Sequence, residues 1–258
     1  MPRERGPLRT VDLLGVFWRS FFLQASWSYD RMQSLGFAFA LVPALRRIYG
    51  NGEEFSKRLA VHMEYFNTQP YFASFILGAA ARLEEDRAEG AAAVDPSDMK
   101  KSLMAPLGAL GDSFFWGSFK PLAAATAVAA LLCGAWWSQL LFLALYNVVH
   151  VGLRWSLIRA GYRLRGDVAA LMAQYNFTRL ARLFKMMSLS VIGVVAGTFP
   201  EWGPWQMEMG VLPGLLIALI GLAASTALLG LMRIGGTPVQ LMIVLAALCL
   251  GLTLGGIF

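Results

Sequence analysis

A chain of 258 residues that is 57% hydrophobic and only 15% charged is too apolar for an ordinary soluble domain, where about a quarter of residues carry charge. Its net charge of +6 lies beside hydrophobic segments, the placement that lipid head groups and membrane orientation favour, which sets nucleic acid aside as a partner. Cys133 and Cys249 sit inside apolar runs, where a thiol acts as a small hydrophobe rather than as a disulfide half or a metal ligand.

In chain order, the opening MPRERGPLRTVDLLG lacks an uninterrupted apolar core followed by a cleavage site, because Arg19 breaks the segment that comes closest, so it is expected to be retained. Residues 10–28 place Leu14, Phe17, Trp18, Phe21 and Ala25 near one helical face. This predicts an amphipathic helix at the inner membrane interface, with a core-packed helix as the alternative. Three apolar pieces follow, Met32 to Leu45, Thr68 to Ala81 and Ser102 to Phe119. Each is short of the ~20 residues that cross a bilayer and each is interrupted by Gly or Pro. Such broken helices are tolerated at membrane depth only when they face protein or water, so a polar-lined membrane site is expected here. Helices buried in a cytoplasmic domain are the alternative. Between the pieces, Arg46 to Glu64 and Arg82 to Lys101 carry mixed charge and read as solvated helix ends and a linker, not as an acidic metal site.

From Lys120 to Arg154 nothing between the two ends is charged, which predicts either one tilted span or a hairpin turning at CGAWW, Cys133 to Trp137. The connection from Arg154 to Lys185 holds seven basic residues against Asp167 and is placed on the cytoplasmic side by the positive-inside rule. The loop PEWGPWQMEMG, Pro200 to Gly210, has two Glu and no basic residue and is placed outside. Met186 to Pro200 must then cross, with help from Thr178 to Lys185. Met209 to Met232 and Ile234 to Phe258 are the remaining spans. The Gly193/Gly197 and Gly251/Gly255 spacings suit close helix contact. The expected fold is an all-α, polytopic membrane protein, with re-entrant or broken helices over residues 1–121 and spanning helices over 122–258.

Four blocks occur in order: SWSYDRMQSLGFAFALVPALRRIY, HMEYFNTQPYFASFILGAAARLEE, KKSLMAPLGALGDSFFWGSFKP and the basic connection. Together they resemble the IID subunit of the mannose-fructose-sorbose family of bacterial sugar phosphotransferase systems, closely over residues 12–121 and more weakly beyond. The sequence departs from the family at Lys120, where relatives often carry Arg, and at Asp30, where they often carry Glu. Its outer loop is also shorter than in many relatives. The resemblance implies a multi-pass subunit of the bacterial inner membrane that pairs with a IIC chain, usually as a trimer of such pairs, in a group-translocating permease. A hexose-type sugar is carried inward and phosphorylated by a phosphohistidine on a separate IIB protein charged by IIA. On that reading the chain is not itself an enzyme and needs no cofactor or metal. A regulatory or scaffold role in an incomplete phosphotransferase system is the first alternative, and an unrelated membrane assembly factor the second.

A hexose offers hydroxyls that both donate and accept, and Asn67, Thr68 and Gln69 supply matching groups. Pro70 breaks the helix beside them. The competing role for Asn67 and Thr68 is capping of the following helix. Asp112 is the one formal charge between Lys101 and Lys120 and should be paired, cap a broken helix or line the cavity, with Lys120 and Arg31 as partners and Gly108 and Gly111 turning the chain ahead of it. Phe114, Phe115 and Trp116 could stack on a sugar, with packing as the alternative. His62, with Glu64 two residues on, is expected to be hydrogen-bonded and structural. Asp30, Arg31 and Gln33 are expected to tie the first helix to the next segment or to touch a partner.

Overall fold

The computed structural model describes residues 6–91 and 94–198, and the expected spans and outer loop beyond residue 200 lie outside them. The chain up to Ile192 forms one compact unit, and a second begins at Gly193. The described elements are helical: α1 (Thr10–Ser20), α2 (Ser34–Tyr49), α3 (Glu53–His62), α4 (Ala73–Ala88), α5 (Pro96–Gly111), a π-helical stretch (Asp112–Phe119), α6 (Lys120–Leu132), α7 (Ser138–Leu164), α8 (Val168–Tyr175) and α9 (Phe177–Thr198).

Local chemistry sets the helix ends. The Asp12 carboxylate accepts from the Arg9 backbone N–H at 3.0 Å at the start of α1. Asp95 accepts from the Ser97 N–H at 2.8 Å with Pro96 as the first helical residue of α5, a placement where the missing proline donor costs nothing. Asp167 accepts from the Ala170 N–H at 3.0 Å to start α8.

The core is built around α4. Ala73, Phe75, Ile76, Leu77, Ala79, Ala80 and Ala81 are completely enclosed by α7, α2, α5 and α1. The tightest crossing is with α7. A Cβ on Gly78 would run into the carbonyl oxygen of Ile158, and one on Gly161 into that of Phe75. Glycine on both helices lets the backbones touch, as small residues do where membrane helices meet.

Two helices are long and apolar enough to cross a membrane, Pro96–Leu132 with 37 residues and Ser138–Leu164 with 27. Only 28% and 22% of their most apolar windows are buried. The core helix of a soluble protein would be mostly covered, whereas these present most of their apolar surface outward.

The structure changes some expectations and decides between others. Ser102 to Phe119 is not a separate short piece but the middle of the 37-residue helix, and the boundary expected after residue 121 falls inside it. The uncharged run after Lys120 is a hairpin, turning between Leu132 and Ser138 with Gly134 at φ 84°. Arg154 to Lys185 is a largely helical connection. It comprises the end of α7, all of α8 and the start of α9. Met186 onward continues from Phe177 as one helix of 22 residues. In α1 the buried face is Asp12, Leu13, Val16, Phe17 and Ser20, while Val11, Leu14 and Trp18 point outward. Burial thus divides the apolar residues of this helix between a core face and an exposed one.

The mixed-charge stretches also differ from the solvated ends expected of them. Glu84, fully buried, takes hydrogen bonds from Arg58 Nε at 3.0 Å, Arg58 Nη2 at 2.6 Å and the Tyr49 hydroxyl at 2.8 Å. Glu85 accepts from Arg82 and from the Tyr162 hydroxyl, and Asp86 pairs with Arg82 and Arg165. Carboxylates on successive residues of α4 radiate to α3 and α7, so packing all around the helix places charge inside and obliges it to be paired.

Candidate functional site

The chain between α3 and α4 is extended around Asn67–Gln69 and is held there by Gln33, the residue preceding α2. Gln33 Nε2 donates to the Thr68 carbonyl at 2.8 Å, and the Thr68 N–H donates to Gln33 Oε1 at 3.2 Å. The Gln33 N–H also donates to the Phe66 carbonyl at 2.8 Å. A buried amide side chain thereby does for this segment what a neighbouring strand would do. Thr68 Oγ1 donates to the Met104 carbonyl of α5 at 2.9 Å.

Gln69, not Asn67 or Thr68, caps the turn that runs into α4. Its Oε1 accepts from the N–H groups of Tyr71 at 2.8 Å and Phe72 at 2.9 Å, satisfying donors that the helix start leaves free. Pro70 lies between cap and helix and brings no N–H of its own. Gln69 Nε2 is buried with no hydrogen-bond partner among the described residues.

Gly108 and Gly111 do not turn the chain. Both lie in α5, and at Gly111 a Cβ would come within 2.6 Å of Gln69 Cβ. The glycine permits close approach of α5 to the capping residue, a need that a sequence cannot distinguish from a turn. The helix then widens into the π-helical stretch, where the Ser118 hydroxyl bonds to the carbonyls of Ser113 and Phe114. Phe114 and Phe115 point into the core against Phe72, Phe177 and Tyr71. Trp116 is partly exposed, with the Lys120 ammonium 4.8 Å from its ring centre.

Between the extended segment and α5 lies a cavity of about 690 Å³, within the range of small-molecule sites. Asn67, Thr68, Gln69 and Asp112 all line it, together with Pro70 and Gly108. Thr68 and Gln69 are buried, with the Thr68 polar groups and Gln69 Oε1 occupied by the bonds just described, whereas Asn67 and Asp112 are exposed. Asp112 forms no ion pair with Lys120 or Arg31 among the described residues, since Lys120 is turned to Trp116 and Arg31 is exposed. Tyr65, Lys101, Met104, Ala105 and Ala109 complete the wall and were not singled out from sequence. Lys101, Met104, Gly108 and Asp112 follow steps of three and four along one helix face, a periodicity that could have found them.

Glu64 stands at the edge of this site and accepts from Ser97 Oγ at 2.7 Å and from Lys101 Nζ at 3.0 Å. Those two donors hold its carboxyl below the usual carboxylate range. His62 does not join it. The His62 ring is fully buried, and its Nε2 lies 2.7 Å from Glu84 Oε1. Burial lowers the His62 pKa, and Nδ1 has no hydrogen-bond partner among the described residues, so the neutral ring donates from Nε2 to the carboxylate. Burial alone would raise the Glu84 pKa, but the bonds from His62 and Arg58 prevail and hold it at about 2. Asp30 is exposed, as is Arg31, whose N–H donates to Ser28 Oγ at 3.3 Å. Among the described residues no three His, Cys, Asp or Glu side chains gather into a possible metal centre.

The family model for the phosphotransferase-system mannose/fructose/sorbose family IID component matches residues 7–258. The chain is similar to the mannose-specific EIID component of Escherichia coli (strain K12), 38% identical over 191 residues, covering 73% of this chain and 68% of the relative. It is also similar to the sorbose-specific EIID component of Klebsiella pneumoniae, 32% identical over 194 residues, covering 74% and 71%. Among solved structures, one described as a membrane protein superposes with a TM-score of 0.72 at 30% identity, covering 97% of this chain and 98% of that one. A chain of the mannose transporter ManYZ in complex with microcin E492 superposes with a TM-score of 0.59 at 31% identity, covering 98% of each.

Proposed function

The chain belongs to the mannose/fructose/sorbose family of phosphotransferase-system IID components, and from that premise we propose that the cavity between the Asn67–Pro70 segment and α5 is its share of the sugar pathway. The protein is a multi-pass, all-α subunit of the bacterial inner membrane that works in a permease with IIC and the phosphocarriers IIB and IIA. It is a non-catalytic transport subunit, with phosphoryl transfer occurring on the carriers.

Within the cavity, Asn67 and Asp112 contact sugar hydroxyls, while Thr68 and Gln69 hold the wall in shape. The observation that carries this reading is convergence: two segments far apart in sequence bring an exposed amide and a carboxylate with no ion pair among the described residues to one hollow. A carboxylate can accept from two hydroxyls at once, and an amide both donates and accepts.

The topology we infer has α2 and α4 entering the membrane without crossing it. Each has 16 residues and ends in charge, below the ~20 that span. The basic stretch 154–185 faces the cytoplasm and the 200–210 loop faces outward, a reading that rests on their opposite charge balance. Residues 1–121 contribute the sugar-facing elements, and the long helix Pro96–Leu132 carries them into the spanning part that continues over 122–258, in a trimer of IIC–IID pairs.

The test is uptake of labelled hexoses by vesicles containing this chain with its IIC, IIB and IIA partners. Asn67→Ala and Asp112→Asn are expected to lower uptake while the IIC–IID complex still assembles. Loss of assembly in parallel with uptake would reassign both residues to folding.

A further inference from the structure

We propose that the junction of α7, α8 and α9 binds an anionic phospholipid, its phosphate held by Arg179 and Arg182 and an acyl chain lying along Leu183 and Met186. This rests on the membrane setting of the chain and not on the sugar site.

Two neighbouring cavities occur there. One of about 160 Å³ is lined by Arg159, Arg163 and Tyr175. The other, about 590 Å³, is lined by Tyr175, Arg179, Arg182, Leu183 and Met186. Tyr175 is their common wall, and the four arginines reach them from the last turns of α7 and the first turns of α9.

A general excess of positive charge on one side of a membrane needs no such convergence. Other arginines of the same stretch are committed to the fold: Arg154 donates to the Ser20 carbonyl at 2.6 Å, and Arg165 pairs with Asp86 at 2.8 Å. Arg159, Arg163, Arg179 and Arg182 are exposed and have no carboxylate partner among the described residues. The one acid of the stretch, Asp167, is used as a helix cap. The site is therefore a set of uncompensated guanidinium groups, which suit the paired oxygens of a phosphate.

The order of residues along α9 distinguishes a lipid from a free anion. Arg179 and Arg182 are followed on the same helix face by Leu183 and Met186, which are 50% and 61% exposed, and the exposed apolar surface continues through Leu189. Charge at one end and apolar wall beyond it match a phospholipid's head and chain, and basic hollows between membrane helices bind such head groups.

The experiment is native mass spectrometry of the IIC–IID complex exchanged between phosphatidylglycerol and phosphatidylcholine. The wild-type complex is expected to retain phosphatidylglycerol about tenfold over phosphatidylcholine, and Arg179→Gln/Arg182→Gln to lose that preference, while Arg179→Lys/Arg182→Lys keeps part of it. Inorganic phosphate in excess should not displace the lipid. Both side chains are exposed, and the single Arg182→Gln carries the same comparison if the double variant does not assemble. Equal retention of the two lipids, or unchanged preference in the Gln variants, overturns the proposal. Full displacement by inorganic phosphate would make this a free-anion site. Unchanged lipid retention with loss of an acidic phosphocarrier's binding would make it a protein-docking surface, and either result also overturns the proposal.

Discussion

Gln33 and Thr68 exchange two hydrogen bonds, side-chain amide to backbone, across 35 residues of sequence. The pair fixes the wall of the cavity to the start of α2 without itself facing the cavity's open side. Removing the amide leaves the N–H and C=O of Thr68 unpaired in a buried setting. Gln33→Ala is therefore expected to destabilise the protein by about 1–3 kcal/mol, read as a lower Tm of the complex in detergent. Gln33→Glu should fall in between, keeping an acceptor for the Thr68 N–H but losing the donor.

Asn67 and Asp112 behave differently because neither is buried. Loss of one hydrogen-bonding group to a sugar costs about 1–3 kcal/mol, or roughly 5- to 150-fold in affinity. Asn67→Ala and Asp112→Asn should raise the apparent KM for uptake within that range and leave the stability, read through the Tm, within about 0.5 kcal/mol of wild type. Transport kinetics and thermal unfolding of the same preparations check both halves of the expectation.

The crossing of α4 and α7 tolerates no side chain at its contact. Gly78→Ala and Gly161→Ala each push a methyl group into a carbonyl of the facing helix. Overpacking of this kind costs about 1–3 kcal/mol or more, and both variants should show reduced yield of assembled complex. Gly52→Ala, at a position with open space around it, is the control that should assemble normally.

Acid should weaken the network on α3 and α4. The Glu84 carboxyl is held at about 2 in the folded chain, against an ordinary 4.5. The unfolded chain therefore takes up its proton first, and the stabilisation, roughly 3 kcal/mol, is complete above pH 4.5 and lost as the pH falls towards 2. His62 acts in the same direction at higher pH. Its folded pKa is lowered from 6.5, so below 6.5 the unfolded chain protonates in preference and stability declines further. Glu84→Gln is expected to lower the Tm at pH 7 by leaving Arg58 unpaired, and to flatten the loss of Tm between pH 5 and 3. Thermal unfolding as a function of pH measures both.

The interruption at Asn67–Pro70 and the isolated charge at Asp112 are visible in sequence because both break an apolar pattern. That they meet is not visible, since it depends on Gln33 and on how closely α5 passes Gln69. Gly108 and Gly111 look like breaks, yet the helix runs through them, because glycine lowers helix propensity by only about 1 kcal/mol and tight packing repays that. The charges of Glu84, Glu85 and Asp86 read as solvent-facing because periodicity assumes a helix with one wet side. For α4, enclosed all around, that assumption fails. The tight glycines at 78 and 161 lack the four-residue spacing that drew attention to Gly193/Gly197, and pair across helices instead.

The meshing at Gly78 and Gly161 limits how this subunit can move. With backbone seated on backbone, α4 can neither roll nor slide against α7 without lifting off it. The Asn67–Pro70 lip is joined to α4 through the Gln69 cap, so it travels wherever that pair travels. A wider hollow would require α5 to part from the Asn67–Pro70 segment and to break the Thr68 Oγ1 bond to the Met104 carbonyl.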